Sequence, residues 1–258
     1  MGQSTSKEKK RRSGLGKRGT RNTALIENYE RSPPQVHQAK GGKGSSQKVA
    51  DGPTELPPPT TPTASQELGG GLFQKYKDSH EDAVLAEGMV LFCEDLGVDP
   101  ADFIMLILAW KFDAKIMGRF THREFVKGCQ RLGVGDIASL KALFPKLRQE
   151  VLSPQRFHEL YQFAFSFGLD QEGGQRVLPM DMAIPLWELV FSQQPPDVLA
   201  RWCNFLKATG VKGVSRDTWN LFLPFTQTIA SDLSNYDESE AWPSLFDDFV
   251  EYEKCGQH

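Results

Sequence analysis

No stretch of this 258-residue chain approaches the roughly 18 consecutive apolar residues needed to cross a bilayer as a helix, so no membrane-spanning segment is expected. The basic N-terminus lacks the apolar core of a secretory signal, which puts the expected compartment in the cytosol or nucleus. Cysteine is scarce: Cys93, Cys129, Cys203 and Cys255 are far apart and form no CxxC pair. That excludes a disulfide framework, and the first three fall in apolar helical patterns, as reduced, buried thiols do. Catalytic signatures are missing too. His80, His122, His158 and His258 stand at no HExxH or other ligand spacing, no phosphate loop is present, and no cysteine carries a local nucleophile signature. A hydrolase or a thioester-forming ligase thus has no motif here, and no metal or cofactor is expected. Clear β-hairpin signals are also absent.

What is present divides sharply by charge. Residues 1–50 carry 12 Lys+Arg against 3 Asp+Glu, residues 51–70 carry three acids and no base, and residues 71–258 carry 18 against 27. A basic tail is therefore attached to an acidic body, although the net charge is only −3. The tail opens MGQSTSK, the M-G-x-x-x-[ST] pattern for myristoylation at Gly2, and seven Lys or Arg residues follow from Lys7 to Arg18. One acyl chain binds a membrane marginally, and a polybasic patch is a second signal that stabilises anchoring. The same KEKKRR run also reads as a nuclear-import patch or a solvated tail. The expected location is the cytoplasmic face of the plasma membrane and the cytoplasm, with the nucleus as the alternative; nucleic acid is not an expected partner. Residues 13–70, with LPPPTTPTAS at 56–65, have little to bury and read as a disordered tether.

From residue 71 to 253 helical periodicity dominates, and the expected class is all-α. Helices are expected near 71–77, 84–96, 100–112, 121–132, 136–149, 154–168, 180–192, 196–208, 215–230 and 241–253. In the third, Asp99 is the expected cap and Pro100 the first position, followed by eight apolar residues, FIMLILAW, around the whole circumference. Such a helix is either central or lines an apolar groove. The next stretch has an EF-hand skeleton: Asp113 at position 1, Gly118 at 6, Phe120 at 8 and Glu124 at 12. Lys115 and Met117 replace the oxygen ligands at positions 3 and 5, so the loop is expected to keep its shape without calcium. A second degenerate loop runs from Asp170 to Asp181, with Gln175 where the turn glycine belongs.

The C-terminal segment supplies two more helices. Ser215 reads as an N-cap with Asp217 in the first turn, and Trp219, Leu223, Thr226 and Ile229 form an inward stripe. In the last helix Trp242, Leu245, Phe246, Phe249 and Tyr252 share one face, and Asp247 and Glu251 lie on the other. The residues alone leave two readings of these acids: a docking face for a basic partner, or helix-dipole complementation and solvation.

The strings RDTWNLFLPF and DLSNYDESEAWPSLFDDFVEYE, with WKF at 110–112, closely resemble the potentiating-neddylation (PONY) domain of the defective-in-cullin-neddylation-like family, from Leu72 to Tyr252. The resemblance implies a scaffold built from EF-hand-like helix pairs, not a catalyst. It further implies a cullin-docking patch at Asp217, Ala241 and Asp247, meeting basic residues of the cullin C-terminal winged-helix region. Met105, Leu108, Ala109, Phe112, Phe120, Phe167, Leu186 and Leu189 match a pocket for the acetylated N-terminal methionine of a neddylation conjugating enzyme. A cullin-associated RING protein is the implied further partner, and lipidated members carry such an N-terminal extension. The alternatives are a myristoylated, EF-hand-like calcium sensor and a membrane adaptor that sequesters cullin.

Overall fold

The computed structural model describes residues 68–171 and 173–256. The expectations for Gly2, the basic tail and the tether up to residue 67 lie outside the described residues.

Among the described residues, eleven helices and four very short strands follow one another in this order. The first half comprises α1 (Gly70–Tyr76), β1 (Ala83–Val84), α2 (Ala86–Leu96), α3 (Phe103–Phe112), β2 (Phe120–Thr121) and α4 (His122–Leu132). Next come α5 (Ile137–Ala142) and α6 (Phe144–Glu150), then α7 (Pro154–Gly168), β3 (Val177–Pro179) and α8 (Met180–Val190). The chain ends with α9 (Leu199–Thr209), β4 (Gly213–Ser215), α10 (Arg216–Thr228) and α11 (Ser244–Cys255).

The strands explain the architecture. Val84 pairs antiparallel with Phe120, joining the loop between α1 and α2 to the loop between α3 and α4. Leu178 pairs with Val214 in the same way, joining the loop between α7 and α8 to the loop between α9 and α10. Each union is a pair of EF-hand-like helix-loop-helix units, so four such units make two paired halves. The EF-hand skeleton in the sequence marks the loops at Asp113 and Asp170; the other two, near 77–86 and 209–216, have no glycine at the turn position with a glutamate six residues after it. The expected all-α class holds, and these ladders, two or three residues long, are too short to give a hairpin signal in the sequence.

Three boundaries are also corrected. Asp102, not Asp99, caps α3, accepting from the Ile104 amide at 2.8 Å, so Pro100 precedes the helix. The expected helix at 136–149 is two helices that meet at Leu143, because Pro145 has no N–H to donate into a continuing ladder. The last helix begins at Ser244, after Pro243, which leaves Trp242 in the preceding loop.

Each half has its own aromatic cluster. Phe73, Phe92, Phe112 and Phe120 all pack on Phe125 in the first. In the second, Trp187 stacks on Trp219 with centroids 4.8 Å apart, and Tyr161 stacks on Trp219 at 5.0 Å. Between the halves lies α3, in contact with α4, α6, α7 and α8. Its residues Phe103–Ala109 and Phe112 are all buried, so its apolar circumference belongs to a central helix.

Candidate functional site

The acidic face is built on the α10–α11 connection. Ser215 caps α10 as expected, accepting from the Thr218 amide at 3.1 Å, and Asp217 is exposed in the first turn. Asp247 lies in the first turn of α11, where a negative charge is favourable to the helix dipole. It is half-buried, and its Oδ1 accepts from the Tyr236 hydroxyl at 2.6 Å. Burial and this carboxylate together push the Tyr236 hydroxyl well above the ordinary tyrosine range, so it remains a donor. Ala241 is exposed, between Glu240 and Trp242.

The connecting loop is fixed by its own side chains. Asn235 Oδ1 accepts from the Ala230 amide at 2.7 Å, and its Nδ2 donates to the Thr228 carbonyl at 2.9 Å. Leu233 is buried at a φ of 60°, and Tyr236 and Trp242 pack against Phe225 with centroids 6.0 and 5.6 Å away. Arg201 of α9 donates to the Ser231 carbonyl and to Glu253 Oε2, the latter at 2.7 Å. Asp237, Glu238 and Glu240 remain exposed on this held loop. The reading of the sequence did not name these three acids; the signal was the DESE run between Tyr236 and Trp242.

Asp217 stands apart from the rest. Phe225 stacks on Phe246 at 4.8 Å, so α11 begins beside the C-terminal end of α10. Asp217 is eight residues before Phe225, or about 12 Å along the helix axis. Asp247 and Ala241 thus lie near the C-terminal end of α10, and Asp217 is not brought to them.

Of the eight expected pocket residues, the structure brings four together. Met105, Phe167, Leu186 and Leu189 line a cleft between α3, α7 and α8, with Pro100, Ala101, Leu106 and Met117 completing it. Its volume of about 20 Å³ gives room for about one water-sized group. Leu108 and Ala109 are buried on α3 outside this lining. Phe112 and Phe120 also lie outside it: they touch each other at 5.3 Å and belong to the cluster around Phe125. A residue list cannot separate cleft from core on one all-apolar helix. Four lining residues were not among those expected: Pro100, Ala101 and Leu106 around the start of α3, and Met117 from the loop that begins at Asp113.

The EF-like loops are closed by protein groups. Gly118 has the expected positive φ of 78°, and Glu124 accepts from the Lys115 and Thr121 amides at 3.0 and 2.8 Å. The Lys115 ammonium lies 2.6 Å from Asp113 Oδ1, where a bound cation would neutralise that carboxylate. Among the described residues, no group of three His, Cys, Asp or Glu residues is arranged to hold a metal ion. Nor is any helix among them long and apolar enough to cross a membrane.

Residues 139–252 match the family described as "Cullin binding", a span that runs from α5 to α11 and contains the whole acidic face. DCN1-like protein 3 of Xenopus laevis is 45% identical over 276 residues, covering 98% of this chain and 91% of the relative. The human protein of that name is 55% identical over 184 residues, or 70% of this chain and 60% of the relative. The Drosophila melanogaster one is 43% identical over 71% of this chain and 54% of the relative. An alignment that spans nearly the whole of both chains at this identity leaves one conclusion: the chain belongs to the DCN1-like family and carries its cullin-binding domain.

Proposed function

We propose that the chain is a non-catalytic scaffold that promotes cullin neddylation. The observation that carries this reading is the fixed acidic loop with Asp247 and Tyr236 inside the region matched as cullin-binding. Acids held by a rigid loop lose little conformational entropy when they meet basic groups, so they favour docking over mere solvation. Asp247 and Asp217 meet Lys or Arg of the cullin winged-helix region, and Ala241 permits close approach. The cleft at Met105, Phe167, Leu186 and Leu189 takes the acetylated N-terminal methionine of a neddylation conjugating enzyme, for which an uncharged terminus is required in an apolar site. Holding both partners raises their effective concentration and limits the orientation in which modifier and lysine meet. The bond chemistry belongs to the conjugating enzyme and the cullin-associated RING protein. The myristoylation pattern at Gly2 and the basic run after it support a location of this scaffold at anionic membranes.

The test is binding of the full chain to a cullin winged-helix domain. Asp247→Arg is expected to weaken binding at least about tenfold, or about 1.4 kcal/mol, and Tyr236→Phe, which keeps the carboxylate, far less. Equal losses for the two would mean that the hydrogen bond shapes the loop and that the charge docks nothing.

A further inference from the structure

A groove of about 550 Å³ opens where the loops after α3 and α7 meet the start of α10. Its floor is apolar: Phe163 and Phe167 stack with centroids 5.1 Å apart, next to Ala114 and Leu169. Its rim carries Arg176 and Arg216, and Lys115, whose ammonium is paired with Asp113 at 2.6 Å. Every charged side chain among the described lining residues is positive, on a body where residues 71–258 carry 27 acids against 18 bases.

Of these donors, Arg216 is held in place by its neighbours. Arg216 Nη1 donates to Ser166 Oγ at 3.1 Å, and its guanidinium lies 5.0 Å over the Phe165 ring. Gln171 Nε2 donates to the Ser166 carbonyl at 2.8 Å, and Gln175 Oε1 accepts from the Asp170 amide at 3.1 Å, which turns the Gln175 amino group away from that contact. A guanidinium with part of its fork engaged keeps its remaining N–H groups for a carboxylate. Arg176 is exposed.

We propose that this groove binds an acidic peptide segment of a partner protein, with carboxylates at Arg176 and Arg216 and an apolar side chain on Phe163 and Phe167. The volume falls in the range of sites that enclose ligands of many atoms, not a lone anion. The stacked floor gives nothing to a small polyanion and a site to an aliphatic or aromatic side chain. The groove adjoins the Asp217 end of the acidic face, since Arg216 and Asp217 are consecutive at the start of α10, and its partner chemistry is the opposite. It touches the apolar cleft only through Phe167, which lines both.

The probes are two synthetic peptides capped at both ends, one of alternating Glu and Leu and the other of alternating Lys and Leu. Each is titrated into the full chain labelled with nitrogen-15. The Glu peptide is expected to move the side-chain resonances of Gln171, Gln175 and Arg216, and the Lys peptide is expected to leave them unmoved. Arg176→Glu weakens the response at least about fivefold with no change in melting temperature, and Lys115→Glu tests the other rim independently. The proposal is overturned if the shifts lie only in the basic residues 7–18, if both peptides act alike, or if inositol hexakisphosphate alone produces the response. It is overturned too if changing Asp51, Glu55 and Glu67 to Ser moves the same resonances without peptide, because the chain's own acidic segment then fills the groove.

Discussion

Tyr161 is where a single side chain does most for the C-terminal half. Its hydroxyl donates to the Trp219 carbonyl at 2.7 Å and accepts from Trp187 Nε1 at 2.9 Å, while Trp219 Nε1 donates back to the Tyr161 carbonyl at 3.0 Å. All three rings are fully buried, so each polar atom left without a partner costs about 1–3 kcal/mol. Burial pushes the Tyr161 hydroxyl well above its ordinary value of 10.0, against the smaller opposing effect of the Trp187 donor. The sign follows from proton counting. Above pH 10 the unfolded chain loses this proton and the folded chain keeps it, so this contribution is complete below pH 10 and declines as pH rises beyond it. Tyr161→Phe is expected to lower stability at pH 7 by about 1–3 kcal/mol and to make the loss above pH 10 shallower than in the parent. Urea titrations at a series of pH values would show both; parallel alkaline slopes would mean that Tyr161 is already reached by solvent.

At the scale of elements, the helices were legible in the sequence and the joints between them were not. Amphipathic period and caps such as Ser215 gave positions to within a few residues, because those signals repeat along a segment. The ladders at Val84 and Phe120 and at Leu178 and Val214 are set by tertiary pairing, and no local pattern marks them. For the site, acids in a DESE run are visible as charge, but the Tyr236 bond that fixes Asp247 joins residues 11 apart across a turn. Likewise FIMLILAW is apolar on every side, so periodicity had nothing with which to tell Met105 at the cleft from Leu108 in the core. The start of α3 is a sharp case, because Asp99 and Asp102 both accept backbone amides, from Ala101 at 2.7 Å and Ile104 at 2.8 Å. Only Asp102 is also bound by Arg148 of α6, at 2.7 Å, which ties the helix start to its neighbour. Asp102→Ala is expected to cost about 1 kcal/mol as a lost cap and up to about 1 kcal/mol more for the half-exposed ion pair. Asp99→Ala should cost less than half of that. Paired thermal melts decide it, and an equal or larger effect at Asp99 would return the helix start to Pro100.

For the whole molecule, the decisive fact is that one helix serves both halves. The first EF-like pair packs Phe112 and Phe120 around Phe125, and the second brings Phe167, Leu186 and Leu189 to the cleft that Met105 closes. The cleft of about 20 Å³ has no room for a whole methionine side chain, so the proposed occupant would displace lining side chains such as Met105 and Leu189. Core and cleft variants should therefore separate. Phe112→Leu opens a void in the first half and is expected to lower the melting temperature by several degrees, with little change in affinity for an acetylated N-terminal peptide of a neddylation conjugating enzyme. Leu189→Ala, at the cleft rim and 8% exposed, is expected to weaken that peptide about five- to tenfold. It should also reduce the stabilisation the peptide confers, which for a one-site ligand at 100 times Kd is about 2.7 kcal/mol in the parent. Calorimetric titration together with melting in the presence of peptide reads both quantities. If Phe112→Leu abolishes binding and Leu189→Ala does not, the peptide enters the first half's aromatic cluster, and the cleft between the halves is only a seam of the fold.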